Sequence, residues 1–384
     1  MKPMPPMKAP PPPPSSDSGR MVPLDVMRGI VIVLMALDHA SYHFNAGRYV
    51  TDSVVMYTAG SAIPALQFLV RWITHICAPT FVFLAGWALF LHTAKQKRTG
   101  ASGFEIDRFI LARGALILAL DPLWMSIGFG GGVVFQVLYA IGGGLCCMAA
   151  LRRFGVGTLL TAAGVLLFAG EALAGLALWL GGGDSAGPLG AFLVTGGRIG
   201  PSVFVVYPLL PWLAYMLLGW CCGRLLTEGR VADPARFFLH AGGVSLLVFL
   251  GVRGLNGYGN MLLYRADASV LQWLHVSKYP PSLSFGALEL GLTAFCLALL
   301  FRIYTRKTGS PGNPLRVFGQ TPLFFYLLHV HLLALAAHVA ALQHKAGLTV
   351  TIAAATGVML LLYPICRGYR RLKRSRRYAV LRFL

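Results

Sequence analysis

Runs of apolar residues long enough to cross a lipid bilayer recur along almost the whole sequence. A membrane-spanning helix needs about 20 predominantly apolar residues. Such runs occupy residues 22–44, 68–91, 108–128, 131–150, 156–180, 203–223, 237–254, 283–303, 317–340 and 347–366. Because 56% of the 384 residues are hydrophobic and only 12% are charged, the composition argues against a globular domain with one anchor. We predict an all-α, polytopic bundle of about ten transmembrane helices.

The basic residues are distributed unevenly between the predicted loops. The formal net charge is +20, with 33 lysines and arginines against 13 acidic residues. With a cytoplasmic N-terminus, most of these cations fall on the cytoplasmic side, as the positive-inside rule requires. We therefore predict that both termini are cytoplasmic. The charge then reflects topology and contact with membrane lipids, and we expect no nucleic-acid partner.

The sequence divides into one membrane domain and two polar tails. Residues 1–20 are rich in proline and serine, a composition that favours polyproline II and forms no core. We predict that they form a disordered N-terminal tail. Residues 21–366 are the predicted membrane domain, and residues 367–384 a basic cytoplasmic tail. The seven cysteines contain no C-x-x-C motif, so we predict no disulfide framework.

The first apolar run carries ionisable residues at both of its ends. Arg28 precedes the stretch from Ile30 to Leu37, and Asp38 and His39 follow it. At 3.6 residues per turn, positions 28 and 39 return to nearly the same helix face, about 16 Å apart. Ionisable groups within a span are costly and usually face the bundle interior. One helix is therefore expected to present a cation at one membrane surface and an Asp-His pair towards the other.

These residues also have plainer structural interpretations. His39 suits acid–base catalysis near neutral pH, but it also suits the end of a helix at the membrane interface. Arg28, with Asp25 at ion-pair spacing, fits an anion site for a phosphorylated cofactor and equally a cytoplasmic anchor. His39 and His43 have the i, i+4 spacing of two metal ligands. Since no third ligand is apparent in the sequence, we predict no metal site.

Further candidates lie in later spans and in one outer loop. Arg71 and His75 are spaced i, i+4 in the second span. Their predicted depth matches that of the Asp-His pair, so we expect one shared site. The ninth span carries three histidines, of which His329 is predicted near mid-membrane. The outer loop 255–282 contains Lys278 and several aromatic residues. This composition favours a lid, an acceptor-binding surface or an interfacial re-entrant stretch.

Four segments of the sequence resemble one known family. They are LDVMRGIVIVLMALDH in the first span, RWITHICAPTFVFLAG in the second, KYPPSL before the eighth, and FGQTPLFFYLLHVHL in the ninth. Their residues and their order are similar to those of bacterial members of the heparan-alpha-glucosaminide N-acetyltransferase-like family, within the wider transmembrane sugar acyltransferases. The resemblance implies a ten- or eleven-span enzyme. Such an enzyme passes acetyl from cytoplasmic acetyl-CoA to a glycan-type acceptor on the far side.

The resemblance also implies roles for individual residues. His39 would be the acyl-transferring or general-base histidine, and Arg28 a structural or CoA-side residue. With the residue-level arguments above, the expected site has three groups. The catalytic residues are His39, Asp38 and His75. The acetyl-CoA-binding residues are Arg28 and Arg71, and the acceptor-binding residues are Lys278 and His329.

The leading hypothesis is an integral membrane acetyltransferase of the bacterial inner membrane, with acetyl-CoA as donor and a glycan or glycolipid as acceptor. The alternative is a proton-coupled transporter of a sugar, glycolipid or organic anion, with Arg28, Asp38 and His39 as a relay. The sequence leaves open the acceptor, the acyl chain length and whether an acetyl-histidine forms. Frequent small-residue packing motifs leave a homodimer possible.

Overall fold

The computed structural model describes residues 21–130, 132–183, 185–304, 310 and 312–374. Nearly all regular structure in these residues is helical, which confirms the prediction of an all-α membrane bundle. The predicted disordered tail 1–20 lies outside the described residues, as do residues 375–384 of the predicted basic tail. Residues 367–374 of that tail continue the last helix.

The helices of the described chain vary from one turn to seven turns in length. The first eight are α1 (Val22–Phe44), α2 (Ala65–Trp72), α3 (Cys77–Arg98), α4 (Gly103–Leu120), α5 (Ser126–Gly128), α6 (Val137–Leu151), α7 (Val156–Phe168) and α8 (Gly170–Leu180). They are followed by α9 (Gly187–Gly190), α10 (Leu209–Thr227), α11 (Pro234–Leu255), α12 (Val270–Leu274), α13 (Leu283–Tyr304), α14 (Pro314–Gln320), α15 (Pro322–Val339) and α16 (Leu348–Arg374). Two π-helical turns, Asp121–Met125 and Ala191–Thr195, join neighbouring helices.

Seven helical stretches of the described chain are long and apolar enough to cross a bilayer. They are Ala65–Arg98, Gly103–Gly128, Leu209–Thr227, Pro234–Leu255, Leu283–Tyr304, Pro322–Val339 and Leu348–Lys373. The pair α7 and α8, bent by 60°, makes an eighth if it forms one span. Helix α1 is not among them although it has 23 residues, because its ionisable side chains lower its hydropathy. The count of ten spans and the side of the termini stay predictions.

The second predicted span stays one helical stretch from Ala65 to Arg98, but it contains a turn where the sequence predicts regular α-helix. Helix α2 ends at Trp72, and α3 begins at Cys77 after a turn. Pro79 causes this break, because its ring would clash with the carbonyl of His75 in a continuous helix and it has no N–H to donate. Arg71 and His75 therefore flank a turn rather than lying on one regular α-helical turn, but both still contact Asp52, as expected for one shared site.

A small sheet replaces the expected helical starts of two other spans. Strands β1 (Val133–Phe135), β2 (Gly197–Ile199) and β3 (Val203–Val205) pair in the order β1-β3-β2. β1 is parallel to β3, and β2 is antiparallel to it. Helices α6 and α10 consequently begin later than predicted, at Val137 and at Leu209. We call the end of the bundle where α1 finishes the outer end, after the predicted topology, and the opposite end the inner end.

Glycines let pairs of helices approach until their backbones touch. A Cβ on Gly319 of α14 would overlap the backbone oxygen of Asp25 in α1, and one on Gly29 would overlap that of Leu315. Gly86 and Gly219 stand in the same reciprocal relation between α3 and α10. Small residues at such crossings are typical of membrane bundles, where close packing rather than the hydrophobic effect holds helices together.

The outer segment between α11 and α13 is organised around one buried cation. Arg253, at the outer end of α11, is completely buried. Its guanidinium donates to the side-chain oxygen of Asn260 (3.0 Å) and to the carbonyls of Leu263 (2.7 Å), Gln272 (2.6 Å), Trp273 (3.2 Å) and His275 (2.5 Å). These five acceptors fold the segment back onto the bundle. Lys278 and Tyr279, which follow directly, are placed by this arrangement.

We predict that Gly319→Ala destabilises the protein. The added methyl meets backbone rather than a movable side chain, so the cost should reach about 3 kcal/mol, the upper end of ordinary overpacking. The thermal midpoint of the purified protein in detergent measures the effect. The matched control is Gly243→Ala in α11, where an added Cβ meets no atom within 4 Å. Equal midpoints for the two variants would contradict the packing argument.

Candidate functional site

A cavity of about 660 Å³ lies at the outer end of the bundle. Its walls come from the end of α1, the loop after α1, α8, the small sheet and the segment before α13. Its acidic, basic and histidine lining residues are Asp38, His39, Arg48, Arg71, Glu171 and Arg198. The volume is within the range of about 300–1,000 Å³ that is usual for small-molecule sites. Three predicted site residues, Asp38, His39 and Arg71, therefore line a cavity suitable for a ligand.

His39 lies in the cavity wall and is held by a second histidine. Its Nδ1 is 2.7 Å from Nε2 of His329 in α15, and the two rings are stacked at an angle of 22°. The Phe129 ring packs edge-on against the His39 ring, and the Tyr326 ring packs against it at a tilt. These contacts fix the orientation of the imidazole.

The hydrogen bonds of His329 determine which nitrogen of His39 carries its proton. Nδ1 of His329 lies 3.1 Å and 2.9 Å from the carbonyl oxygens of Phe325 and Tyr326. Because a carbonyl only accepts, this nitrogen must be protonated. His329 is completely buried and touches no carboxylate among its described contacts, so its ring is neutral and Nε2 accepts. His39 consequently donates from Nδ1, and its Nε2 keeps a lone pair.

Asp38 and Arg71 form the centre of a buried ionic network beside His39. Nη1 of Arg71 donates to Asp38 at 2.6 Å, while Nε and Nη2 donate to Asp52 at 2.8 Å and 2.5 Å. Arg48 pairs with the same Asp38 oxygen at 3.0 Å and also donates to the Asp38 carbonyl. Two cations and two carboxylates therefore balance one another and join the outer loop to α1 and α2.

His75 reaches this network from the turn before α3. Its Nε2 lies 3.4 Å from Oδ1 of Asp52, and both side chains are almost completely buried. Burial alone would raise the pKa of Asp52, but the neighbouring charge of Arg71, together with His75, outweighs it and lowers the pKa well below its usual range. Asp52 is therefore an anion that contacts both Arg71 and His75, although a turn separates α2 from α3 between them.

Lys278 and Tyr279 complete the outer site from the opposite side of the bundle. The Lys278 backbone N–H donates to the carbonyl of Asp52 (2.8 Å), and its buried ammonium lies 5.4 Å from the Tyr279 ring centre. Tyr279 lines the cavity, and its hydroxyl oxygen is 3.4 Å from Nη2 of Arg71. Burial would raise the pKa of this phenol, but the cations Lys278 and Arg71 lower it. A phenol with a lowered pKa is a strong hydrogen-bond donor.

Arg28 lies at the inner end of α1, far from this cavity. It pairs with Asp25 at 3.4 Å, as the i, i+3 spacing predicts. Gln320 of α14 donates to the other oxygen of Asp25 (2.8 Å) and accepts from Arg370 of α16 (3.3 Å). The inner ends of α1, α14 and α16 are thus joined by a second polar cluster.

The structure places the predicted site residues in two groups. His39, Asp38, Arg71, His75, Lys278 and His329 converge at the outer end, whereas Arg28 is at the inner end. Arg71, which is expected to bind acetyl-CoA, is engaged with two carboxylates in the outer group. His329, which is expected to bind the acceptor, does not line the cavity and touches His39 instead. In the described ranges, no three His, Cys, Asp or Glu side chains are grouped to hold a metal ion.

Sequence patterns give no indication of three outer-site residues. Asp52 and Arg48 lie in the loop after α1, where no periodicity marks a buried side chain. Tyr279 stands within the KYPPSL segment, where no pattern marks its phenol as a site group. The available signal for Asp52 was charge balance, because Arg71 and Lys278 are buried cations that require carboxylate partners.

The sequence also matches one family beyond these local motifs. A family model described as heparan-alpha-glucosaminide N-acetyltransferase, catalytic, matches residues 20–258, from just before α1 to just after α11. Lys278 and His329 lie beyond the matched range. A comparison with curated proteins gave no match. Because the match covers more than half of the sequence, the chain belongs to the heparan-alpha-glucosaminide N-acetyltransferase family of transmembrane acetyltransferases.

Proposed function

We propose that this protein transfers an acetyl group from acetyl-CoA to a sugar-containing acceptor that enters the outer cavity. The observation that carries the proposal is the lone pair on Nε2 of His39, which the His329 hydrogen bonds fix in place at the cavity wall. The family match supports acetyl transfer as the reaction class. The family description also favours the amine of a glucosamine unit as the acceptor group.

Nε2 of His39 suits either course of acetyl transfer. In direct transfer, it takes the proton of the acceptor amine or hydroxyl while that atom bonds to the acetyl carbon and the C–S bond breaks. In two-step transfer, Nε2 attacks the thioester carbon itself and CoA leaves as the thiolate. The acceptor then displaces the acetyl group from the imidazole, whose freed Nε2 takes the acceptor's proton. Both courses need the same unprotonated nitrogen, and the His329 contact maintains it.

Tyr279 is placed to stabilise the oxyanion of the tetrahedral intermediate. Preorganised donors directed at a developing negative charge supply a large share of the rate enhancement in acyl transfer. The phenol of Tyr279 lines the cavity, and the cations Arg71 and Lys278 lower its pKa. We assign the donor role to Tyr279 because all three donor nitrogens of Arg71 already face carboxylates.

Arg28 and Arg113 support delivery of acetyl-CoA from the inner end. Arg113 of α4 lies close enough for its charge to act on that of Arg28. Its Nε is buried and has no hydrogen-bond partner among the described residues. Two neighbouring cations suit the phosphates of a nucleotide-bearing donor. We propose that CoA binds there, with its acyl end directed along α1 towards His39.

In the proposed setting, the protein crosses the inner membrane of a bacterial cell several times and has both termini in the cytoplasm. The donor then comes from the cytoplasm, and the acceptor lies at the outer leaflet among membrane lipids. A homodimer stays a prediction from the small-residue motifs.

We predict that His39→Ala lowers acetyl transfer by about 100-fold or more, the range expected for loss of an acid–base group. The assay follows CoA release and labelled product from radiolabelled acetyl-CoA, with purified protein and glucosamine as trial acceptor. His338→Ala is the matched control, because His338 is an exposed histidine at the outer end of α15. Wild-type rates in folded His39→Ala would refute the assignment. Tight binding of glucosamine without any turnover of acetyl-CoA would instead favour the transporter alternative.

We also predict that His329 acts through His39 rather than through the acceptor. His329→Phe removes the acceptor for the Nδ1 proton, so kcat should fall by about 100-fold while KM for acceptor and donor stays unchanged. His329→Gln offers a carbonyl oxygen in its place and should restore part of kcat. A rise in KM with constant kcat, or equal effects of the two substitutions, would contradict this role. His338→Phe controls for the loss of a histidine from the same helix.

A further inference from the structure

The wall of the cavity opposite α1 is formed by three side chains in register across the small sheet. Arg198 of β2 is paired with Phe204 of β3, and Phe204 is paired with Val134 of β1. Residues directly opposite one another in neighbouring strands project from the same face of a sheet. All three line the cavity. The sheet therefore presents a cation, an aromatic ring and an aliphatic side chain in one row.

Arg198 differs from the other cations of the cavity in its electrostatic surroundings. Arg48 and Arg71 are both paired with Asp38, and Arg71 also with Asp52. Glu171, the other acidic lining residue, uses one oxygen to accept the backbone N–H groups of Gly259 and Met261. Among the ion pairs of the described residues, none involves Arg198. This cation is thus available to a negatively charged ligand.

A third part of the lining is apolar and belongs to elements with lipid-facing surfaces. Val54, Val55 and Met56 of the outer loop and Leu178 of α8 contribute to the cavity. The other side of α8 exposes apolar side chains, including Trp179 at 75% and Leu180 at 71%. In a membrane-spanning chain such a surface contacts lipid. Beyond Glu171 at its start, α8 therefore lies between the lipid and the cavity with apolar side chains on both faces.

We infer that the acceptor is an anionic, lipid-linked sugar. The sugar lies beside His39, its anionic linkage group is bound by Arg198, and its apolar chain lies along α8 and residues 54–56. A free sugar would leave the apolar strip without a partner and most of the 660 Å³ unfilled. A neutral glycolipid would leave Arg198 without a counter-charge. The inference rests on the proposed acetyl transfer, because it names the substrate class of that same site.

Three probes separate the lipid requirement from the charge requirement. They are glucosaminyl dodecyl phosphate, which has both features, dodecyl glucosaminide, which has only the chain, and glucosamine 1-phosphate, which has only the anion. Affinity and acetyl transfer are measured with the full-length protein in nanodiscs of neutral lipid. We expect glucosaminyl dodecyl phosphate to bind at least about tenfold more tightly than either of the others. Equal affinity for glucosamine 1-phosphate, or equal affinity for dodecyl glucosaminide, would overturn the inference.

Two substitutions connect these preferences to the proposed contacts. Arg198→Gln should abolish the advantage of the phosphate probe and leave the affinity for dodecyl glucosaminide unchanged. Leu178→Trp should weaken both dodecyl probes, whereas Leu176→Trp serves as the control because residue 176 is exposed and does not line the cavity. An unchanged phosphate preference in Arg198→Gln would refute the contact between Arg198 and the anionic group. Equal effects of Leu178→Trp and Leu176→Trp would refute the proposed position of the apolar chain along α8.

The outcome also distinguishes this inference from the proposed function. Transfer to all three probes at similar rates, lost in His39→Ala, would leave the acetyltransferase intact and reject the lipid-linked acceptor. Selective binding of glucosaminyl dodecyl phosphate without His39-dependent transfer would retain the binding site and reject the acetyltransferase.

Discussion

The buried guanidinium of Arg71 is the interaction on which the outer half of the protein depends. It is shared by Asp38 of α1 and Asp52 of the outer loop, and Asp52 in turn contacts His75 and the Lys278 backbone. In apolar surroundings an ion pair that loses one partner costs about 3–5 kcal/mol. The network is therefore stable only when complete. For the network to be complete, the loop after α1, helices α1 and α2 and the segment before α13 must occupy fixed positions. These positions also shape the cavity.

Local sequence patterns predicted the helices and part of the site. Runs of about 20 apolar residues determine where helices form, because a backbone in lipid must satisfy its hydrogen bonds internally. Within α1, the step from Arg28 to His39 separates an inner from an outer cluster, as helical geometry requires. Prediction failed where one residue changes the local geometry. Pro79 produces a turn between α2 and α3 within the second span. The strands before α6 and α10 depend on pairing between distant segments.

The pairing of His39 with His329 shows what the sequence could not reveal. The two residues are 290 positions apart, and helical periodicity cannot relate side chains on different helices. The tautomer of His39 depends further on two carbonyls of α15, which carry no signal in the sequence. Asp52 and Arg48 are similar cases, because they lie in a loop without regular structure. Buried charge balance is the principle that relates them to Arg71, but it identifies a partner only after the fold is known.

Helix α1 combines the two halves of the proposed reaction because it is shielded by protein rather than by lipid. It packs against α3, α13, α14, α15 and α16, and Gly29 and Gly319 bring its backbone against α14. This enclosure lets a helix with ionisable groups at both ends lie inside the bundle, since each charged group has protein partners there. The inner cluster at Arg28 and the outer lone pair of His39 are then held about 16 Å apart by one rigid element. In the proposed reaction, a donor bound at the inner end must reach an acceptor at the outer end, so the rigid length of α1 sets the distance that the acetyl group has to cover.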